Sequence, residues 1–375
     1  MDRKVVLAAP ASRQSNESDD CFAPTRMKTN QPIMRYTTFA FSSLGLAVAV
    51  QTAFAQVGVV RQVDSAQQRR ELGQPAKTLG DGETVPELYT GEASDVGPQS
   101  VVKFKSRKSY LELSADAQYF HTDNMFLSDG GKVGTDVLVS MVQAALAPGA
   151  YALGEGQFSP RLGYRHEWFN FGLATSKEIE VFDFNTSEFR QAKLREFDFN
   201  AQTVFTDGRW RQGNWIVGAG FDYLRLLDSD RYEQFYDEYV PRWEVRRIIP
   251  LRNADAISVA YEGDYRFTDS DLPPSAEDSD LIDRTDHSLV LNFTHVLCAQ
   301  AIVQPYYRFQ YTHFTAGQQR DDYLNTIGIA LHCPLTRQIS LRAFVSYDIM
   351  KTSSSFAQDY NKLDAGGGLG LTMRF

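Results

Sequence analysis

Leu363-Asp364-Ala365-Gly366-Gly367-Gly368-Leu369-Gly370-Leu371-Thr372-Met373-Arg374-Phe375 closes the chain with an unbroken two-residue alternation. Successive side chains of a strand point to opposite faces. One face therefore carries Leu363, Ala365, Gly367, Leu369, Leu371, Met373 and Phe375, and the other Asp364, Gly366, Gly368, Gly370, Thr372 and Arg374. Such a strand separates an apolar medium from a polar one. The glycine run Gly366–Gly370 does not read as a phosphate loop, which opens a helix after a strand. Glycine here permits curvature or leaves room for bulky neighbours.

The same alternation recurs upstream. It is clean in Val303–Tyr311, where Gln304, Tyr306, Arg308 and Gln310 share the polar face, and in Ile339–Ile349, where Ser340, Arg342, Phe344, Ser346 and Asp348 do. It is weaker in Leu111–Tyr119, Val133–Ala145, Leu162–Trp168, Phe197–Phe205, Trp215–Tyr223, Trp243–Ile249, Ile257–Phe267, Leu289–Leu297 and Tyr323–Leu331. Together these make about twelve strands, an even number that keeps both ends on one side. A soluble β-sandwich also alternates. Against it stand strands as long as the roughly 9–11 residues that cross a bilayer at a tilt. Aromatics also crowd the strand ends: Tyr119, Phe120, Trp168, Trp215, Tyr223, Trp243, Tyr265, Phe267 and Tyr311.

The links alternate in length, as transmembrane barrels require. Long polar ones lie at about 123–132, 171–193, 228–240, 268–284 and 351–361, with a middling one at 316–322. Short ones fall between them, except that 148–159 is longer than a turn should be. The expected fold is all-β: a transmembrane, antiparallel up-and-down β-barrel of about twelve strands over residues 109–375.

The ending Leu369-Gly370-Leu371-Thr372-Met373-Arg374-Phe375 resembles the C-terminal assembly signal of Gram-negative outer-membrane β-barrel proteins. Met373 departs from the pattern, standing where an aromatic is common. The resemblance implies that Leu369, Leu371, Met373 and Phe375 face outer-membrane lipid and are read by the barrel-assembly machinery, a transient partner. It is nearly silent on function.

The amino-terminal third reads differently. Tyr36–Val50 is the single stretch apolar enough to resemble a membrane helix, and it falls short of the roughly 20 residues that span a bilayer. Arg35, the apolar core Phe39–Val50 and Ala53-Phe54-Ala55 before Gln56 have the parts of a secretory signal. Residues 34–55 are thus expected to be a signal peptide cleaved between Ala55 and Gln56, with 1–33 an overextended start. From Gln56 to Lys108 no period is sustained, and Pro75, Gly80, Gly82, Pro86, Gly91 and Pro98 interrupt each apolar run. This stretch, 56–108, is expected to be a flexible periplasmic segment with at most one short helix, Gln62–Leu72.

The chain carries a net charge of −9, which argues against a nucleic-acid partner. The inward set is unusually charged: Arg161, Arg165, Glu167, Arg242, Glu244, Arg246, Glu262, Asp264, Arg266, Arg308, Arg342, Asp348 and Arg374. Opposite charges held away from bulk water should pair across strands or sit in lumenal water. Two uses follow: an electrostatic filling that nearly closes the barrel, or a narrow pore whose arginine-rich wall favours anions and small solutes. Surface attachment through the acidic Asp269–Asp283 loop is the alternative, and an outer-membrane hydrolase comes last. Asp286, His287 and Ser288 adjoin, but neighbours on a strand point apart; His295 and His313 lie on apolar faces, and His121, His166 and His332 have no metal-ligand spacing. No catalytic residue, metal or cofactor is assigned, and the oligomeric state is left open. Cys298 and Cys333 begin turns on one rim, two strands apart, and a disulfide needs those turns to lean together.

Overall fold

The computed structural model describes residues 57–72, 110–174, 177–183, 188–251, 255–270, 282–298, 301–316, 319–354 and 357–375. Fifteen strands follow in order: β1 (Leu111–Thr122), β2 (Thr135–Leu146), β3 (Tyr151–Leu153), β4 (Gly156–Phe171), β5 (Glu178–Asp183), β6 (Glu188–Lys193), β7 (Phe199–Gln212), β8 (Trp215–Asp228), β9 (Gln234–Pro250), β10 (Ala256–Ser270), β11 (Arg284–Cys298), β12 (Ala301–Phe314), β13 (Asp321–Pro334), β14 (Ile339–Thr352) and β15 (Tyr360–Arg374). Twelve of them close an antiparallel up-and-down barrel. β2 pairs with β1 and β4, each later strand pairs with the next, and β15 returns to β1 through Leu113↔Met373, Ala117↔Leu369 and Phe120↔Gly366.

All twelve alternating segments fall on strands of this ring. The other three strands lie in two of the links. The 148–159 link is long because β3 folds back on the start of β4, Leu153 opposite Gly156. The 171–193 link holds the hairpin β5–β6, whose Ile179, Val181 and Ala192 are buried, so it is not simply a polar loop.

Burial is inverted relative to a water-soluble barrel. Outward-facing Ile327 is 58% exposed, whereas inward-facing Glu167 is 0% exposed. Among the aromatics expected at the rims, Phe120 is a correction: it faces inward, its ring centroid 5.9 Å from that of Phe344. Its even-numbered position on β1 puts it with Asp116 and Gln118, not with Tyr119.

The glycine run has a steric cause. A Cβ on Gly366 would stand 2.3 Å from both Tyr119 O and Phe120 Cβ, so only glycine lets β15 approach β1 this closely. The cysteine bridge does not form. Cys333 is a free thiol, and β12 stands between its strand and that of Cys298, a separation of roughly two 4.8 Å strand spacings, wider than a disulfide allows.

Twelve strands tilted by about 40° give a backbone diameter of about 24 Å. Side chains roughly 6 Å deep on each wall leave a bore of about 12 Å, close to the 10–12 Å of one helix with its side chains. A helix, α1 (57–71), occupies it. Residues 57–71 are helical and packed against the inner wall, so the short helix expected over Gln62–Leu72 starts at residue 57 and lies inside the barrel. The leader (1–55, including Ala55), Gln56 and the remainder of the segment from residue 73 lie outside the described residues.

Candidate functional site

The site is the barrel interior around α1. Val57, Val60, Val63 and Ala66 recur at three-residue spacing, a stripe that winds along one side of a helix, and each is at most 2% exposed. They join a cluster with Phe120, Val139, Phe169, Phe171 and Phe344 of the wall and with Ile179, Val181 and Leu194 of the β5–β6 region. Gly73 and Pro75 follow α1 in the sequence, residue types that stop helices. Its N-terminal half lies near the long loops: Gln62 Nε2 donates to Met125 O at 3.0 Å. Its C-terminal end reaches toward the short turns, where Arg342, near the start of β14, donates from Nη1 to Arg70 O at 3.2 Å.

Four ion pairs tie α1 to four strands. Arg61 meets Asp322 at 2.8 Å, Asp64 meets Arg266 at 3.1 Å, Arg69 meets Asp364 at 3.0 Å, and Arg70 meets Glu167. The Arg69 guanidinium also lies 4.2 Å over the Phe120 ring and 5.0 Å from that of Phe344. Gln118 Nε2 donates to Ala66 O at 3.1 Å and Arg308 donates to Gln68 Oε1 at 3.0 Å. Each wall carboxylate held by α1 has a second cation that does not belong to the helix. Arg320 is 3.2 Å from Asp322, Lys362 is 3.0 Å from Asp364, and Arg165 is 2.9 Å from Glu167. Arg266 likewise keeps Glu238 at 2.9 Å, Asp264 at 3.0 Å and Asp286 at 3.1 Å. Two cavities of about 20 Å³ flank the helix, each with room for roughly one water.

The strand register places Arg161, Arg165, Glu167, Arg242, Glu244, Arg246, Glu262, Asp264, Arg266, Arg308, Arg342, Asp348 and Arg374 on the inner face. They are not one group. Glu167, Arg266 and Arg308 touch α1 side chains, and Arg165 is bound to Glu167 at 2.9 Å. Arg246 binds Glu244 at 2.6 Å and Glu262 at 3.4 Å, and Arg242 binds Asp222 at 3.1 Å. Arg342 pairs with Asp116, Asp348 with Lys362 at 3.1 Å, and Arg374 with Glu112 at 3.0 Å at the rim; Arg161 lies 5.4 Å over the Phe205 ring. Sequence reasoning missed Glu112, Asp116, Asp207, Asp222, Glu238, Arg284, Asp286, Asp322 and Lys362, and left Asp364, already on the polar face of the last strand, out of the charged inward set. The signal was present, because each shares the even or odd face of an assigned residue on its own strand or the next.

These missed carboxylates change the character of the lumen. Toward the long loops the wall carries Glu167, Glu238, Asp286, Asp322, Asp348 and Asp364 against Arg266, Arg284, Arg308, Arg320 and Lys362. Toward the short turns it carries Arg161, Arg165, Arg209, Arg211, Arg246, Arg342 and Arg374 against Glu112, Asp116, Asp207, Asp222, Glu244 and Glu262. Arg242 and Asp264 face each other at mid-height. Acids and bases nearly balance in each half. Packing differs: the Asp322 and Arg284 side chains are 1% and 3% exposed, while those of Arg209 and Glu262 are 44% and 34% exposed. Glu71, at the end of α1, meets lumenal solvent at this boundary.

At the long-loop rim, Asp198 Oδ1 accepts the backbone N–H of Phe171 at 2.7 Å, and burial pushes its carboxyl up to about 6. His287 faces outward, 2.8 Å from Tyr261 Oη, while its chain neighbours Asp286 and Ser288 face inward. Leu369, Leu371, Met373 and Phe375 lie on the outward face of the last strand. Most of the acidic Asp269–Asp283 loop lies outside the described residues.

No protein-family model and no curated protein sequence matches the chain. Among solved structures it is similar to the β-domain of the Bordetella autotransporter BrkA, at 13% identity over 71% of this chain and 100% of that one, with a TM-score of 0.43. An outer-membrane channel from Pseudomonas putida F1 matches at 10% identity over 74% and 100%, TM-score 0.43. The transport unit of the autotransporter AIDA-I from Escherichia coli matches at 11% identity over 72% and 93%, TM-score 0.40.

Proposed function

We propose that this chain is a Gram-negative outer-membrane channel held closed by its own helix α1. The outward apolar surface suits lipid, and the inward charges suit a lumen. In this reading the long loops face the exterior, while the short turns and the segment after α1 face the periplasm. The barrel-assembly machinery is its transient partner, outer-membrane lipid its permanent one, and no catalytic step is assigned to it.

The observation that carries the reading is the second cation beside each wall carboxylate that α1 holds. Breaking a buried ion pair is costly, about 3–5 kcal/mol, because it strands a charge. Withdrawal of α1 strands none on the wall: Asp322, Asp364 and Glu167 keep Arg320, Lys362 and Arg165. A helix needed only as filling would have no reason to leave its partners so provided for.

A helix lock tests this. A Cβ on residue 58 would lie 3.6 Å from Leu127 Cδ1, so G58C/L127C places two thiols within reach across the helix and the long-loop rim. In a planar bilayer the oxidised variant is expected to be silent, and the reduced variant to open intermittently like the parent. Equal conductance in both states would refute closure by α1.

A further inference from the structure

We infer that the lumen holds a binding site for amphipathic solutes, molecules with an apolar ring or short chain on one side and polar groups on the other. Such a solute competes with α1 for the inner wall and so opens its own path. This rests on the channel reading and deepens it by naming the solute class.

At the height of α1 the wall has two unlike arcs. Four consecutive strands of the ring, β2, β4, β7 and β8, turn Val137, Val139, Phe169, Phe171, Phe199 and Leu226 inward, each at most 4% exposed. The polar groups bordering this arc are Thr135 and Asp228 at the rim and Glu167 and Thr203 at its lower edge. Across the bore, β10, β11, β12 and β13 carry Arg266, Asp286, Arg308 and Asp322. The helix has two matching faces. Val57, Val60, Val63 and Ala66 join the apolar cluster, while Arg61, Asp64 and Gln68 reach Asp322, Arg266 and Arg308. It occupies the lumen as an amphipathic molecule would, yet it does not fill it. One cavity of about 20 Å³ beside it is lined both by Phe120, Val137, Phe169 and Phe171 and by Asn124, Lys362 and Asp364, so the two kinds of wall meet in one pocket. Once α1 withdraws, the apolar arc meets water, an unfavourable exposure that an apolar ring relieves. A solute that binds the withdrawn state alone shifts the equilibrium toward it.

The experiment compares two probes of equal charge, tryptophanamide and glycinamide, on the full chain opened by V60N/V63N, or by R70M where that variant fails to insert. Heat-modifiable migration on a gel confirms a folded barrel. Tryptophanamide is expected to block the current at a concentration roughly tenfold to a hundredfold lower than glycinamide, the ratio that burying about 100 Å² of apolar ring gives. Adding V137T/V139T, which keeps the side-chain shape and makes the arc polar, should raise the tryptophanamide concentration needed by about threefold or more and leave glycinamide unchanged. In the parent protein, tryptophanamide at about ten times its blocking constant should quicken amide exchange of residues 57–71 about tenfold, and glycinamide at the same concentration should not. Equal block by the two probes, or a tryptophanamide block untouched by V137T/V139T, would overturn the apolar site while leaving closure by α1 intact. Exchange of α1 unmoved by a blocking concentration would overturn its competition with the solute. Silence of both opened variants in folded barrels would overturn the channel reading and this inference with it.

Discussion

Arg70→Met probes whether the wall is independent of the helix. Glu167 is fully buried and holds two guanidinium groups, Arg70 from α1 and Arg165 from β4. Losing Arg70 removes one charge-assisted hydrogen bond, worth about 1.5–3 kcal/mol, and leaves Glu167 still paired. That loss falls on the docking of α1, so the open fraction should rise roughly tenfold to a hundredfold, at about 1.4 kcal/mol per decade. Barrel stability should hardly change. R165M alone should also be mild, since Arg70 remains. The double variant R70M/R165M strands a buried carboxylate and should cost the barrel about 3–5 kcal/mol, well beyond the sum of the single effects. The assay pairs single-channel open probability with urea unfolding in lipid vesicles, followed by tryptophan fluorescence. A 3–5 kcal/mol loss of barrel stability from R70M alone would refute the reasoning, because Glu167 would then depend on the helix and α1 would be a structural part of the wall.

Gly366→Ala should weaken or prevent closure of the β1–β15 seam, an overpacking cost of about 1–3 kcal/mol or more, read as lost heat-modifiable migration. Gly370→Ala should cost less, since its Cβ would meet only Ser340 Oγ at 3.1 Å and Asp116 Oδ2 at 3.2 Å. Asp198 binds its proton more tightly folded than unfolded, so its contribution is full below the ordinary value of 3.8 and is lost as pH rises through about 6. Hydrogen exchange in the β5–β6 region should therefore quicken between pH 5 and 7 beyond its intrinsic pH dependence, and D198N should flatten that added response. Thiol titration of the denatured, unreduced barrel should find Cys333 reactive; its absence from the titration would revive the bridge to Cys298.

The ring of strands was legible because a barrel wall imposes one rule at every position: a side chain meets either lipid or lumen. That rule survives even in Leu162–Trp168, where the alternation is weak, since Arg165 and Glu167 share a face whatever lies beyond it. The helix was not legible by the same means. Val57, Val60, Val63 and Ala66 have the spacing of a buried stripe, but their partners are Phe120, Phe169 and Phe344, aromatics on the face otherwise reserved for polar groups. Nothing within residues 57–72 says that an apolar patch waits inside the barrel. The paired carboxylates were missed for a related reason. Asp322 and Glu238 stand outside the cores of their alternating segments, where an acid on a strand end reads as solvated loop.

The interior is built from two kinds of contact with different consequences for movement. The apolar cluster near the long loops is specific to α1 and is lost as a unit when the helix leaves. At about 25 cal/mol per Å², burying a valine contributes roughly 1.5–3 kcal/mol, so Val57, Val60 and Val63 supply most of the attraction. The ion pairs contribute less net stability, because desolvation offsets much of the Coulomb gain. Their effect is on geometry and on the open state. Arg61, Arg69 and Arg70 fix the height and rotation of α1, and Arg320, Lys362 and Arg165 keep the vacated wall paired. Closure thus rests mainly on hydrophobic burial, and the tolerance of opening rests on the duplicated cations. A polar substitution at Val60 or Val63 and a neutral one at Arg165 should therefore act oppositely: the first frees the helix, and the second makes the wall need it.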